Sequence, residues 1–301
     1  MVIYFSKINL ISSEIFEVYE DIDALKNILS VVFEVLEDGE KYIRTDSYRK
    51  GNQIITNNIE YSLKILHIHD NDAIEGYLYK KSKIFYNEKD EGNGELRRKS
   101  VPNTEAIRFY FDVYEETIGF YTTQRFGYQD FNDAFISILN QCLEKNGRSY
   151  RFNIQLRTEG LTVDNLKSEL KKIDGITKIK FRFQPPNPGE EILEKIENAG
   201  NSIVEEMVKS NATGVSYVFD SKSASGLNLE SDLLKDNFAK IEGLNQISGS
   251  EKAFSRGYIS VEATGKDGTF YTTAEHKAAK TFIENTEAFV DACRKKIKAL
   301  L

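Results

Sequence analysis

Two periods of hydrophobic recurrence alternate along the chain, and each predicts a different element. In "MVIYFSKINL" apolar residues fall at adjacent or alternate positions, as in a strand. In "DIDALKNILSVVFEVLEDGEK" the residues Leu25, Ile28, Leu29, Val32, Phe33 and Leu36 recur at helical spacing, with Asp21 or Asp23 as cap and Gly39 just past the end. "YSLKILHIHD" and "EGYLYKKSKIFYNE" read as strands either side of "NDAIEG". Lys89 to Glu105 is polar and aperiodic, which predicts an exposed, mobile loop. "AIRFYFDVY" and "TIGFYTTQRF" then predict a hairpin turning at Glu115 and Glu116.

The second half has a more regular rhythm. "YRFNIQLRT" is a strand, "TVDNLKSELKKI" a helix capped at Thr162, and "TKIKFRFQ" a strand with Ile179, Phe181 and Phe183 on one face, stopped by "PPNPG". "EEILEKIENAGNSIVEEMVKS" and "ESDLLKDNFAKIEGL" predict helices around the strand "GVSYVFD". "GYISVEA" and "GTFYTTA" form a hairpin, and "EHKAAKTFIENTEAFVDACRKKIKALL" reads as one long final helix. The fold expected is α+β in two domains, with mixed, mostly antiparallel sheets and helices packed on one face. Residues 1–148 form an N-terminal α+β domain with a central hairpin, and 149–301 a C-terminal α/β sandwich domain ending in the long helix. The polar break "EKNGRSY" marks the boundary.

Composition narrows the classes. A chain of 301 residues, 40% hydrophobic, can bury a sizeable core. Cys142 and Cys293 lie far apart inside expected helices, which points to a reducing cytoplasm and away from disulfides. No leader pattern opens the chain, and no apolar run reaches the ~18 residues of a membrane span, so direct insertion is not expected. Residues 1–150 carry 18 Lys and Arg against 25 Asp and Glu, so the net charge of −7 lies entirely in the first half. Acidity of that kind argues against bulk nucleic-acid binding and leaves room for a local basic patch.

The stretch "IGFYTTQRFGYQDFNDAF" joins a strand to a helix that Asp130 or Asn132 can cap, with Phe131, Phe135, Ile138 and Leu139 facing inward. Arg125, Tyr128 and Gln129 remain at the helix N-terminus, where a phosphate or carboxylate can be received, although an arginine paired with a nearby acid is the commoner outcome. "TIGF", "RFG" and "DFNDAF" in this order resemble the centre of the RexA-type phage-exclusion proteins and related bacterial anti-phage (abortive infection) families. "YSLKILHIHDNDAIEGYLYKKS", "FRFQPPNP" and the charged end "AFVDACRKKIKALL" extend the likeness over about residues 60 to 301. It implies a cytoplasmic homodimer that binds double-stranded DNA without sequence preference, senses an infecting phage and acts through a membrane-protein partner. It implies no catalysis and no cofactor, and it offers no active-site motif to carry over.

Each chemical constellation has an ordinary structural reading beside it. His67, His69, Asp70 and Asp72 in "HIHDND" are few for a zinc hydrolase, so a strand end and acidic turn is preferred and no metal is assigned. Glu262 and Lys266, with Asp220 and Asp232, hint at a metal nuclease at the wrong spacing, and "TGKDG" reads as a hairpin turn. No GxSxG and no phosphate loop occurs. Basic clusters are the better handle: Arg44, Arg49 and Lys50; Lys80, Lys81 and Lys83; Arg97, Arg98 and Lys99; and the alternating Lys178, Lys180 and Arg182. The last three must share a strand face, which fits a phosphate backbone and equally an ordinary solvated face. With the resemblance added, the expected DNA contacts are Lys178, Lys180, Arg182, Arg125, Lys80, Lys81, Lys83, Arg97 and Arg98, with no catalytic residue. A protein-binding regulatory subunit of a defence complex without DNA binding is the alternative, and a divergent metal-dependent nuclease the third.

Overall fold

The computed structural model of the chain describes residues 1–50, 53–89, 96–187, 203–248 and 252–301. Among these, the strands are β1 (Val2–Leu10), β2 (Lys41–Lys50), β3 (Gln53–His69), β4 (Ala73–Lys89), β5 (Leu96–Asp112), β6 (Thr117–Tyr121), β7 (Phe152–Leu156), β8 (Ile176–Phe183), β9 (Val215–Asp220), β10 (Ile259–Gly265), β11 (Phe270–Thr272) and β12 (Lys280–Phe282). The helices are α1 (Ile15–Glu20), α2 (Ile22–Val35), α3 (Tyr128–Lys145), α4 (Val163–Lys171), α5 (Ile203–Ser210), α6 (Asp232–Ile247), α7 (Lys252–Ser255) and α8 (Phe289–Leu300). The fold is α+β, built on two antiparallel sheets.

The large sheet runs β12-β1-β6-β5-β4-β3-β2, and β7 also pairs with β1. Strand alternation gives β1 two apolar faces. Ile8 and Leu10 join the core under α2 and α3, while Ile3 and Phe5 join a second cluster with Phe289, Cys293 and Ile297 of α8. On the first face the rings of Phe120 and Phe131 stack at 3.9 Å, and Phe135 meets Phe109 edge-on at 5.3 Å. Each such ring contributes roughly 1.5–3 kcal/mol by leaving water. The small sheet, β11-β10-β8-β9, buries Ile179, Phe181 and Phe183 against Leu166, Phe238 and Ile241. Helices on one face therefore describe the small sheet, whereas the large sheet is covered on both.

The close approach of α8 depends on a glycine. A Cβ added at Gly119 would stand 2.7 Å from Cys293 Sγ and 2.9 Å from Phe5 Cε1, both fully buried. Gly119→Ala should cost about 1–3 kcal/mol by overpacking. At Gly243 within α6 a Cβ meets nothing within 4 Å, so Gly243→Ala should add about 0.4–1 kcal/mol by reducing unfolded-chain entropy. Urea unfolding of the two variants beside the parent should show these opposite signs.

Several elements differ from the sequence reading. The expected loop from Lys89 to Glu105 is strand from Leu96 onward, paired residue by residue with β4, and 90–95 lie outside the described residues. Pro102 is tolerated there because β5 acquires its second neighbour, β6, only at Phe109. "RTDSYRK" belongs to β2, paired along its length with β3. The long final helix is confined to Phe289–Leu300: Thr281 and its neighbours pair with β1, and Asn285 turns the chain by accepting from the Glu287 amide. The cap of α3 is Gly127, not Asp130 or Asn132, because both those side chains are taken by tertiary partners. Of the helix expected over 190–210, only α5 falls within the described residues.

The polar break at 145–150 is the turn from α3 into β7, which stays with the large sheet through its pairing to β1. The chain passes to the small sheet after that strand and returns with β12. Glu116, held within the large sheet by Lys7, and Tyr19 of α1 tie the segment after β8 to the large sheet. Lys7 Nζ donates to Glu116 Oε2 at 2.7 Å, Asn187 donates to the other oxygen of Glu116, and the Tyr19 hydroxyl donates to the Pro186 carbonyl at 2.7 Å. Burial pushes the Lys7 ammonium below its ordinary pKa, against the pull of Glu116.

Candidate nucleic-acid interface

Strand pairing places Lys83, Arg97 and Arg98, three of the six cations predicted as contacts in the first half, on one projecting ribbon. The β3–β4 ladder ends at Glu60 and Lys81, while β4 and β5 continue paired to Lys89 and Leu96. From Ser82 to Lys89 the only strand beside β4 among the described residues is β5, so a two-stranded arm leaves the sheet. At ~3.3 Å per residue it extends roughly 25 Å. The register puts Lys81, Lys83, Phe85 and Arg98 on one face, and the Arg98 guanidinium lies 4.3 Å from the Phe85 ring centre. Lys81 shares Glu60 with Lys41, and Lys83 makes no ion pair among the described residues. Lys99 sits on the other face with Glu88.

Lys80 points the opposite way. It is 8% exposed, and its ammonium donates to the Arg125 carbonyl at 2.7 Å and to Asp130. Arg44 Nη1 donates to the other Asp130 oxygen at 2.6 Å. Burial alone would raise the Asp130 pKa, but the hydrogen bonds from Lys80 and Arg44 outweigh it and hold the carboxyl below its ordinary value. Lys80 therefore clamps β4 to the first turn of α3. The Arg125 side chain is exposed just before that turn. The side chains of Lys50 and Arg97 lie outside the described ones.

On β8 the alternation is as read: Ile179, Phe181 and Phe183 are buried, and Lys178, Lys180 and Arg182 share the outer face. Two of these cations face acids on neighbouring strands, Lys178 with Asp220 at 3.9 Å and Lys180 with Glu262 at 3.7 Å. Arg182 is exposed and makes no ion pair among the described residues.

The histidine and carboxylate constellations are spread out. His69 Nε2 lies 3.0 Å from Glu75 Oε2, and Arg108 binds the other oxygen of Glu75 through two nitrogens. Among the described residues no three His, Cys, Asp or Glu side chains are grouped to hold a metal ion, and no helix is long and apolar enough to cross a membrane.

The sequence profile of a domain of unknown function, DUF4747, matches residues 59–283. The chain belongs to the DUF4747 family. The matched region starts within β3 and ends just after β12, so it contains the arm and the β8 stripe but neither β1 nor α8. No curated protein matches the chain.

Sequence reasoning did not find Phe85, which carries Arg98, or the arm itself. Lys83-Ile84-Phe85 held the available signal, a cation and an aromatic two apart on a strand. It stayed invisible without the partner strand that shows both to be solvent-facing.

Proposed function

We propose that this DUF4747 protein binds double-stranded DNA without sequence preference and performs no chemistry on it. The supporting observation is the β4–β5 arm, which presents Lys83 and Arg98 on one face with no core to pack on among the described residues. A two-stranded ribbon has the width to lie in a major groove, and cations on it that contact phosphates position the duplex without reading its sequence. The β8 stripe is the secondary contact, because Asp220 and Glu262 offset two of its three charges. The anti-phage role, the homodimer, the cytoplasmic location and the membrane-protein partner rest on the resemblance to the RexA-type proteins.

A second reading, a protein-binding subunit, is favoured by Leu96 on the arm at 69% and Ile54 at the start of β3 at 75% exposure. One experiment separates the two. Fluorescence anisotropy with two unrelated duplexes at low salt should show similar affinities for both, and Lys83→Glu with Arg98→Glu should weaken both by about tenfold or more. Absence of duplex binding by the parent protein would favour the protein-binding subunit.

A further inference from the structure

A cleft opens where the first turn of α3 faces β7 and the outer surface of the small sheet. It has two adjoining lobes of about 330 and 310 Å³, and Gln155 and Glu262 line both. Tyr128, Gln129, Asn132 and Phe270 line the first lobe, and Arg182 and Ser260 the second. The size falls in the range of small-molecule sites.

Two groups of the first lobe are available to a ligand. Phe270 is 59% exposed on a three-residue strand. Asn132 is only 7% exposed; its Oδ1 accepts from the Ser6 hydroxyl at 2.9 Å, while its amide nitrogen makes no hydrogen bond among the described residues. A ligand with a flat ring and acceptors on its edge would satisfy both. The charges divide the cleft along its length. Asp133 and Glu275 make the first lobe acidic, suiting hydroxyl and amine donors, and Arg182 gives the second a cation that suits an anion. Glu262 stands at the join, with Lys180 Nζ 3.7 Å from its carboxylate.

We propose that this cleft binds one nucleotide unit: the base against Phe270 and Tyr128 with its edge on the Asn132 and Gln155 amides, the pentose beside Glu262, and the phosphate at Arg182. Two sources carry that chemistry, a free nucleotide and a nucleotide within a single strand. The site uses Phe270 and Asn132, which the duplex-binding reading does not, so the two can fail separately.

Calorimetric titration of the full chain with AMP, GMP, CMP and UMP, and with a single-stranded tetranucleotide, tests the proposal. Saturable binding of at least one probe with Kd in the range of about 10 μM to 1 mM is expected. Phe270→Ala and Arg182→Ala should each weaken it about tenfold or more while leaving the thermal unfolding midpoint unchanged, since both side chains are exposed. Lys83→Glu on the arm should leave monophosphate binding unaltered. Monophosphates binding as tightly as the tetranucleotide would identify a free nucleotide as the occupant, and preference for the tetranucleotide a strand. No binding of any probe at about 5 mM, or binding that survives both substitutions, would overturn the proposal.

Discussion

Replacing Arg108 by alanine should destabilise the protein by about 3–5 kcal/mol, the cost of leaving a buried charge without its partner. Glu75 is 3% exposed and receives Arg108 Nε at 2.9 Å and Nη2 at 2.6 Å on one oxygen. The same guanidinium donates to the Thr286 carbonyl at 3.1 Å and lies 5.0 Å from the Phe289 ring centre, so it also anchors the chain entering α8. Alanine removes the charge, the clamp and the ring contact together. A double variant, Arg108→Ala with Glu75→Gln, should recover part of the loss, because the neutral amide costs less to bury than an unpaired carboxylate.

The pH dependence distinguishes this from a simple packing defect. Burial on its own raises the Glu75 pKa, but hydrogen bonds from Arg108 and His69 outweigh it and hold the carboxyl below its ordinary value of 4.5. A depressed folded-state pKa gives stability that is present above the ordinary carboxylate value and is lost as pH falls through the folded one. In Arg108→Ala burial is no longer outweighed to the same degree, so the carboxyl's pKa rises and its ionised form opposes folding at neutral pH. Urea unfolding between about pH 3.5 and pH 7 should therefore show the gap between parent and variant narrowing on acidification. A gap independent of pH would mean that the lost contacts with Thr286 and Phe289 account for the effect.

What the sequence revealed follows from which faces are buried. The α4 start was readable because Thr162 and Asn165 close a capping box within four residues, and β8 because its inner face is apolar at every second position. The outer parts of β2, from Thr45 on, and of β5 carry no such period, since both their faces meet water and only the hydrogen-bonded ladder makes them strands. β12 was absorbed into a helix because "EHKAAK" has helical composition, whereas its short pairing is set by the free edge of β1 beside Val2–Tyr4. The candidate site divides the same way. Lys81, Lys83 and Arg98 were readable as cations, but the inward turn of Lys80 depends on Asp130, 50 residues further on.

The second large effect is on DNA affinity. Changing Lys83, Arg98, Lys178, Lys180 and Arg182 together to glutamate should abolish duplex binding at physiological salt, because each contact both loses a cation and gains a repulsive anion. Folding should survive: Lys83, Arg98, Lys178 and Arg182 are exposed and Lys180 is half-buried, so no buried charge is created. Remote carboxylates of the acidic first half do not prevent the parent from binding, since screening limits their reach to about 8 Å at physiological ionic strength.

Salt dependence of duplex binding tests the central claim most directly. If these five side chains neutralise phosphates, log K against log salt should fall with a slope of about −4 to −5 per chain, a loss of roughly 500-fold for a fourfold rise in salt. The arm variant, Lys83→Glu with Arg98→Glu, should flatten that slope by about two units, equally for unrelated sequences. No binding at about 50 mM salt, or an arm variant whose slope matches the parent's, would contradict the assignment of DNA binding to the β4–β5 arm.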